Sequence, residues 1–205
     1  MSRSIQHWNE VYAAKSPTRL SWYQPHLETS LALIESVAGN RSAAIIDIGG
    51  GVSTLVDDLI LRGYTDISVL DISQTAIDAA RQRLGLSAKQ VKWLVGDICE
   101  LELAASRYEL WHDRAVFHFL TLPEQRASYV ARAAASVKTS GKLIISTFGP
   151  EGPIRCSGLD TARYSAVALE AEFGSMFRLV DSQIEWHTTP SAGRQQFLYC
   201  LFERA

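Results

Sequence analysis

The chain has 205 residues, 47% of them hydrophobic and 20% charged, with a formal net charge of −2. That balance suits a globular protein of one domain and lacks the basic excess that nucleic-acid binding usually leaves. No apolar run reaches about 18 residues, so no membrane-spanning helix is expected, and MSRSIQHWNE at the N-terminus lacks the apolar core of a secretion signal.

Ser4 to Ala14 carries Ile5, Trp8, Val11 and Tyr12 at helical spacing. A loop, Ser16 to Gln24, leads to a second helix with Pro25 in its first turn, Leu27, Leu31, Ile34 and Val37 on one face, and a stop near Gly39. Strands and helices then alternate. Strands are predicted at Ala43–Ile48, Ile67–Leu70, Val91–Val95, Tyr108–His112 and Lys142–Phe148. Helices are predicted at Ser53–Leu61, after a Ser73 cap, and from a Thr121/Glu124 capping box to about Val137. This order implies a mainly parallel sheet with helices on both faces. Ser165–Phe173 reads as a helix ending at Gly174, and Arg178–Thr188 with Gln195–Arg204 reads as a hairpin that adds an antiparallel strand. Cys99, Cys156 and Cys200 lie far apart without C-x-x-C spacing, which predicts free thiols, no metal site and a cytoplasmic location.

The stretch with most chemical content is Ile45–Thr54, IIDIGGGVST. An apolar strand ends near Asp47, and Gly49, Gly50 and Gly51 turn the chain into a helix. Residues without a Cβ let a nucleotide-like ligand approach the backbone closely. The dinucleotide fingerprint needs glycine at positions one, three and six. Counted from Gly49 the sixth position is Thr54, so nicotinamide chemistry fits poorly.

From Ile45 onward the chain resembles the class I S-adenosylmethionine-dependent methyltransferases. Asp47-Ile48-Gly49-Gly50-Gly51-Val52-Ser53 matches the family's acid-and-glycine pattern, with Ser53 in place of a frequent third glycine. The resemblance implies an α/β, doubly wound, seven-stranded and mostly parallel sheet. It also implies an N-terminal helical lid, S-adenosylmethionine as cofactor and S-adenosylhomocysteine as product. Asp71, ending the second strand, is placed to accept the ribose hydroxyls. Asp97, ending the third, falls where the family binds the adenine amino group, with Ile98 supplying a backbone N–H and Ile72 packing on the ring.

The segment before the core is rich in aromatics. Trp22 is a candidate cofactor contact, through cation–π attraction to the sulfonium, and Tyr23 a candidate acceptor contact; either could instead pack the first helices onto the sheet. Residues 111–120, WHDRAVFHFL, are expected to floor the site, with His112 at the cofactor floor. The Asp/Asn-Pro-Pro-aromatic signature of base N-methylation is missing. Asp113, His112 and His118 are the candidate catalytic residues, Asp113 as proton acceptor. Arg114, Arg155, Cys156 and Tyr164 are candidate acceptor contacts.

The expectation is therefore one methyltransferase domain: residues 1–40 a helical cap, 41–148 the cofactor-binding core, and 149–205 the acceptor loop, helix and hairpin. In size and N-terminal aromatics it is similar to the thiopurine and tellurite methyltransferases, which implies a small soluble acceptor. The SWYQ element and the His-Asp-Arg cluster also resemble the elongation-factor lysine methyltransferases, with Arg114 and Ala115 where those carry lysine and glycine. A protein lysine is thus the alternative acceptor. A second alternative is a binding protein of the same fold that transfers nothing. No nucleic-acid or membrane partner is expected, and the chain should be a monomer or homodimer.

Overall fold

The computed structural model describes residues 3–205. In chain order the elements are α1 (Arg3–Ala14), α2 (Glu28–Val37), β1 (Ile45–Ile48), α3 (Leu55–Leu61), β2 (Ile67–Asp71), α4 (Gln74–Leu84), β3 (Val91–Val95), β4 (Tyr108–Arg114), α5 (Pro123–Ser136), β5 (Val137–Phe148), β6 (Arg155–Cys156), β7 (Leu159–Asp160), α6 (Ala166–Phe173), β8 (Phe177–Thr188) and β9 (Arg194–Arg204). Seven strands form one sheet in the order β3-β2-β1-β4-β5-β9-β8, and β6 pairs with β7 as a small separate ribbon. The pairs among β1 to β5 are parallel, and β9 runs antiparallel to both its neighbours.

Each strand sends alternate side chains to opposite faces. Ile45, Val69, Leu110 and Ile144 pack on one face with Leu31, Ile34, Leu55 and Leu59 of α2 and α3. Ile46, Trp111, Leu143 and Ile145 pack on the other with Tyr129 and Ala133 of α5 and Leu169 and Phe173 of α6. Apolar residues on both faces explain why β1 and β2 read as continuous hydrophobic runs.

Register positions the chemistry. Asp47 on β1 lies beside Val69 on β2 and beside His112 on β4. The glycine turn leaves the carboxyl end of β1 between those two neighbours, where the strand order reverses. That is the binding crevice of an open α/β sheet.

Local signals held where a cap or glycine set them. Ser73 and Ser165 accept from the amides of Ala76 and Ala168 at 3.2 Å each, and Gly174 ends α6 with φ +57°. Several boundaries differ from expectation. α2 starts at Glu28, three residues after Pro25. Thr121 does not cap α5, because Pro123 occupies its first turn and Gln125 Oε1 accepts from the Leu122 amide at 3.3 Å. β5 begins at Val137, ahead of Gly141, through a register shift against β4. β4 continues two residues past His112 to Arg114, and this matters most for the site. The antiparallel strand β9 lies one place in from the sheet edge, with β8 outside it.

Candidate functional site

A cleft opens at the carboxyl ends of β1, β2 and β4 and encloses about 180 Å³. Its floor is the glycine turn, where the amides of Gly49 and Gly50 donate to the Leu70 carbonyl at 2.7 and 3.2 Å. Gly49 has φ +67°, and a Cβ there would collide with Val116. A Cβ on Gly50 would meet Asp47 Oδ2 at 2.5 Å and Val69 Cγ1 at 2.7 Å. Only glycine allows backbone at this floor, which leaves it open to a ligand.

Three acids line the cleft. The Asp71 carboxylate accepts from the Ser73 amide at 2.8 Å, and Asp97 accepts from the Cys99 amide at 2.9 Å. Burial pushes Asp71 from its ordinary 3.8 up to about 7, and the nearby Asp47 charge adds to the shift against the Ser73 hydrogen bond. Tyr12, reaching across from α1, is raised by burial and by the Asp71 charge. Ile72 and Ile98 supply apolar walls beside these acids.

Asp47 serves differently. His112 Nδ1 lies 2.7 Å from Asp47 Oδ1, and His112 Nε2 lies 2.9 Å from Ser30 Oγ on α2. A carboxylate can only accept, so Nδ1 carries the hydrogen and the ring is locked between β1 and α2. His112 therefore braces the cleft floor and has no nitrogen left to move a proton.

The roof comes from α1 and the loop before α2. Trp8 stands edge-on to Phe119 and Trp22 at 5.1 and 6.0 Å between ring centroids, and Tyr12 to Trp22 at 6.4 Å. Asn9 Oδ1 accepts from Ser73 Oγ at 2.6 Å, which ties α1 to the end of β2. The loop backbone is fastened from three directions. Arg114 Nη1 donates to the Trp22 carbonyl at 2.9 Å, His187 Nε2 to the Ser21 carbonyl at 2.7 Å, and Thr54 Oγ1 to the Gln24 carbonyl at 3.0 Å. Gln24 Nε2 in turn reaches His187 Nδ1 and Glu185 Oε1, both at 3.0 Å.

The far end of the cleft is mostly apolar, with Phe119, Phe148, Cys156, Leu159 and Phe197, and with Arg114 and His118 among them. His118 stacks on Phe148 at 4.2 Å, and its Nδ1 accepts from the Phe148 amide at 3.2 Å. Burial first, then the Arg114 charge, drive its pKa from 6.5 down to about 3, so the imidazole is neutral with its hydrogen on Nε2.

Of the residues expected to bind cofactor, Trp22, Asp47, Gly49, Gly50, Ser53, Asp71, Ile72, Asp97, Ile98 and His112 line this one cleft. Gly51 lies just behind it, where a Cβ would meet Asp71 Oδ2 at 2.5 Å. Tyr23, Arg114, Cys156 and His118 line it as well.

Three residues are not brought in. Asp113 follows His112 on the same strand and so points to the opposite face. Tyr129 Oη donates to its Oδ2 at 2.6 Å and the Val116 amide to its Oδ1 at 2.9 Å, within the α5 core. It is corrected from proton acceptor to a buried structural group. Arg155 is exposed on the small ribbon, 3.1 Å from Asp160, because β6 and β7 turn it outward. Tyr164 is packed in the core, its ring 5.8 Å from Phe117.

Sequence reasoning missed Ser30, Gln24 and His187. Ser30 lies 82 residues from His112, and His187 lies 163 and 166 residues from Gln24 and Ser21, so no local pattern announces these contacts. Among the described residues no three His, Cys, Asp or Glu side chains gather as a metal site, and no helix is long and apolar enough to cross a membrane.

Residues 45–141 match the family described as "Methyltransferase domain". The chain is 24% identical over 125 residues to a mouse eEF1A lysine and N-terminal methyltransferase, covering 61% of this chain and 18% of that one. It is 29% identical over 119 residues to a malonyl-[acyl-carrier protein] O-methyltransferase of Halalkalibacterium halodurans, covering 56% and 42%. The chain thus spans less than half the length of either relative. Among solved structures it shares its fold with a Burkholderia thailandensis 1,6-didemethyltoxoflavin-N1-methyltransferase with bound S-adenosylhomocysteine. That match has a TM-score of 0.70 and 21% identity, and covers 98% of this chain and 84% of that one.

Proposed function

We infer that this chain, a member of the class I S-adenosylmethionine-dependent methyltransferases, transfers the cofactor's methyl group to a small-molecule acceptor. The residues fit the cofactor: a glycine floor where added Cβ atoms would collide with Val116, Asp47 and Val69, an acid ending β2, an acid just past the end of β3, and apolar walls between them. Asp71 would hold the ribose hydroxyls. Asp97 and the Ile98 amide would hold the adenine, with Ile72 against its face. Trp22 would close over the sulfonium. When bound, S-adenosylmethionine supplies an electrophilic methyl group whose transfer extinguishes a positive charge.

The rest of the work is positioning and exclusion of water. Holding two reactants at near-attack distance can supply about 7–11 kcal/mol. The acceptor end offers donors and no base: His118 Nδ1 already accepts a hydrogen bond, its Nε2 carries a hydrogen, and Asp113 faces the other side of the sheet. The acceptor must therefore arrive with its lone pair free, as a thiolate, a neutral amine or another deprotonated atom.

The observation that carries the small-molecule reading is the roof. The Ser21–Gln24 backbone is tied down by Arg114, His187 and Thr54, which favours a fixed, narrow acceptor end over one that opens to take a protein segment. The mouse relative's name favours the other reading, a protein acceptor. Incubation with S-adenosylmethionine and separate pools of small thiols, carboxylates, amines and an undigested protein extract tests this. S-adenosylhomocysteine release with a small-molecule pool is expected. Release with the protein pool alone would replace this reading.

A further inference from the structure

Arg114 is a buried cation whose ion pair to Glu185 is loose and leaves a donor unsatisfied. Its side chain is 4% exposed, and the nearest carboxylate, Glu185 Oε1, stands 3.9 Å from Nη2, too far for a hydrogen bond. Nε donates to Tyr199 Oη at 3.0 Å and Nη1 to the Trp22 carbonyl, while the guanidinium carbon lies 4.4 Å over the Phe197 ring. Nη2 has no hydrogen-bond partner. His118, fully buried beside it, presents the same deficit at Nε2. Buried donors in native proteins are almost always satisfied, and a charged one left bare is costly. Both residues line the acceptor end of the cleft, and Arg114 is the one Arg or Lys among the described residues that do so.

We propose that Arg114 Nη2 and His118 Nε2 form a subsite for a carboxylate carried by the acceptor, which anchors the molecule while a different atom of it receives the methyl group. This rests on the methyltransferase reading above. A monoanion is favoured over a phosphate because the pocket offers one positive charge and one neutral donor between aromatic walls. The carboxylate is the anchor rather than the nucleophile for a reason of charge. Pairing with the guanidinium stabilises an anion in the ground state, and methylation of that anion would abolish the pairing at the transition state, so the contact would slow its own reaction. As an anchor, the same contact persists through the transfer and fixes the rest of the molecule in line with the cofactor.

The test uses the full chain saturated with S-adenosylhomocysteine, titrated calorimetrically with benzoate, phenylacetate and 3-mercaptopropionate, each set against its neutral methyl ester. At least one acid should bind more tightly than its ester. Arg114→Gln should weaken that acid about 10–150-fold, the effect of losing one charge-assisted hydrogen bond, with Arg114→Lys recovering part of it. Because Arg114 also ties the roof loop, His118→Phe is the second variant: it keeps the ring packing, removes the donor, and should weaken the same acid while ester affinity stays unchanged. If no acid is preferred, or the preference survives both substitutions, the subsite is wrong. Failure of the wild-type chain to bind S-adenosylhomocysteine would instead overturn the methyltransferase reading itself, so the two failures are distinct.

Discussion

Asp71→Asn should make the ligand-free protein more stable and a poorer cofactor binder. The wild-type carboxyl is buried and titrates near 7 rather than 3.8. Below about pH 4 it is protonated in both folded and unfolded chains, so its contribution does not change with pH. Between there and about 7 the unfolded chain releases its proton while the folded chain keeps it, so stability falls as pH rises through that window. At 1.36 kcal/mol per unit, the loss grows by roughly 2–3 kcal/mol between pH 5 and pH 8. Asparagine keeps the shape and the acceptor for the Ser73 amide but has no proton to lose. Denaturant unfolding of both proteins at the two pH values checks this: the stability advantage of Asp71→Asn should widen at pH 8. Calorimetry at pH 8 should show S-adenosylhomocysteine bound about 10–150-fold more weakly, from the loss of a charge-assisted ribose contact. A variant with wild-type affinity would remove Asp71 from the ribose site, and an advantage that does not change with pH would refute the buried-carboxyl argument.

Other perturbations test the remaining geometry. If the ionised form of Asp71 binds the cofactor, wild-type affinity should rise from pH 5.5 to about 7 with proton release in buffers of different ionisation enthalpy, then level off. Tyr129→Phe strips Asp113 Oδ2 and Trp111 Nε1 of their shared partner, and each orphaned group costs about 1–3 kcal/mol. A melting temperature lower by at least about 4–8 °C, with S-adenosylhomocysteine affinity unchanged, is the expected result. Loss of cofactor affinity instead would return Asp113 to the site. Gly50→Ala drives a methyl into Asp47 and Val69, an overpacking cost of about 1–3 kcal/mol, and should abolish detectable cofactor binding in a chain that still folds by circular dichroism.

The cofactor half of the site was legible because its signals are local. Apolar runs mark β1 and β2, and each ends in an acid at the edge where the crevice must lie. The glycines are required by contacts with Asp47, Val69 and Val116, two of which lie within a few residues in sequence or on the adjacent strand. The roof was less legible. The aromatics of α1 and Trp22 could be named, but what holds them in place could not, since His187 reaches Ser21 from β8 across 166 positions.

The acceptor half failed at one identifiable step. Charged Asp113 and Arg114 looked like the end of β4, and a loop there would have let all of His112, Asp113 and Arg114 face the ligand together. The strand instead runs on, because distant partners hold both side chains: Tyr129 on α5 for Asp113, and Tyr199 on β9 with the Trp22 carbonyl for Nε and Nη1 of Arg114. Once the segment is extended, strict alternation decides the roles. His112 and Arg114 share the face of the cleft, and Asp113 must face α5. His112 then falls beside Asp47 by register and is consumed in bracing the floor, which leaves Arg114 as the one charged side chain of the three free to meet an acceptor. Burial of a charge that an isolated strand cannot tolerate is thus what both hid the strand end and created the cation at the acceptor end.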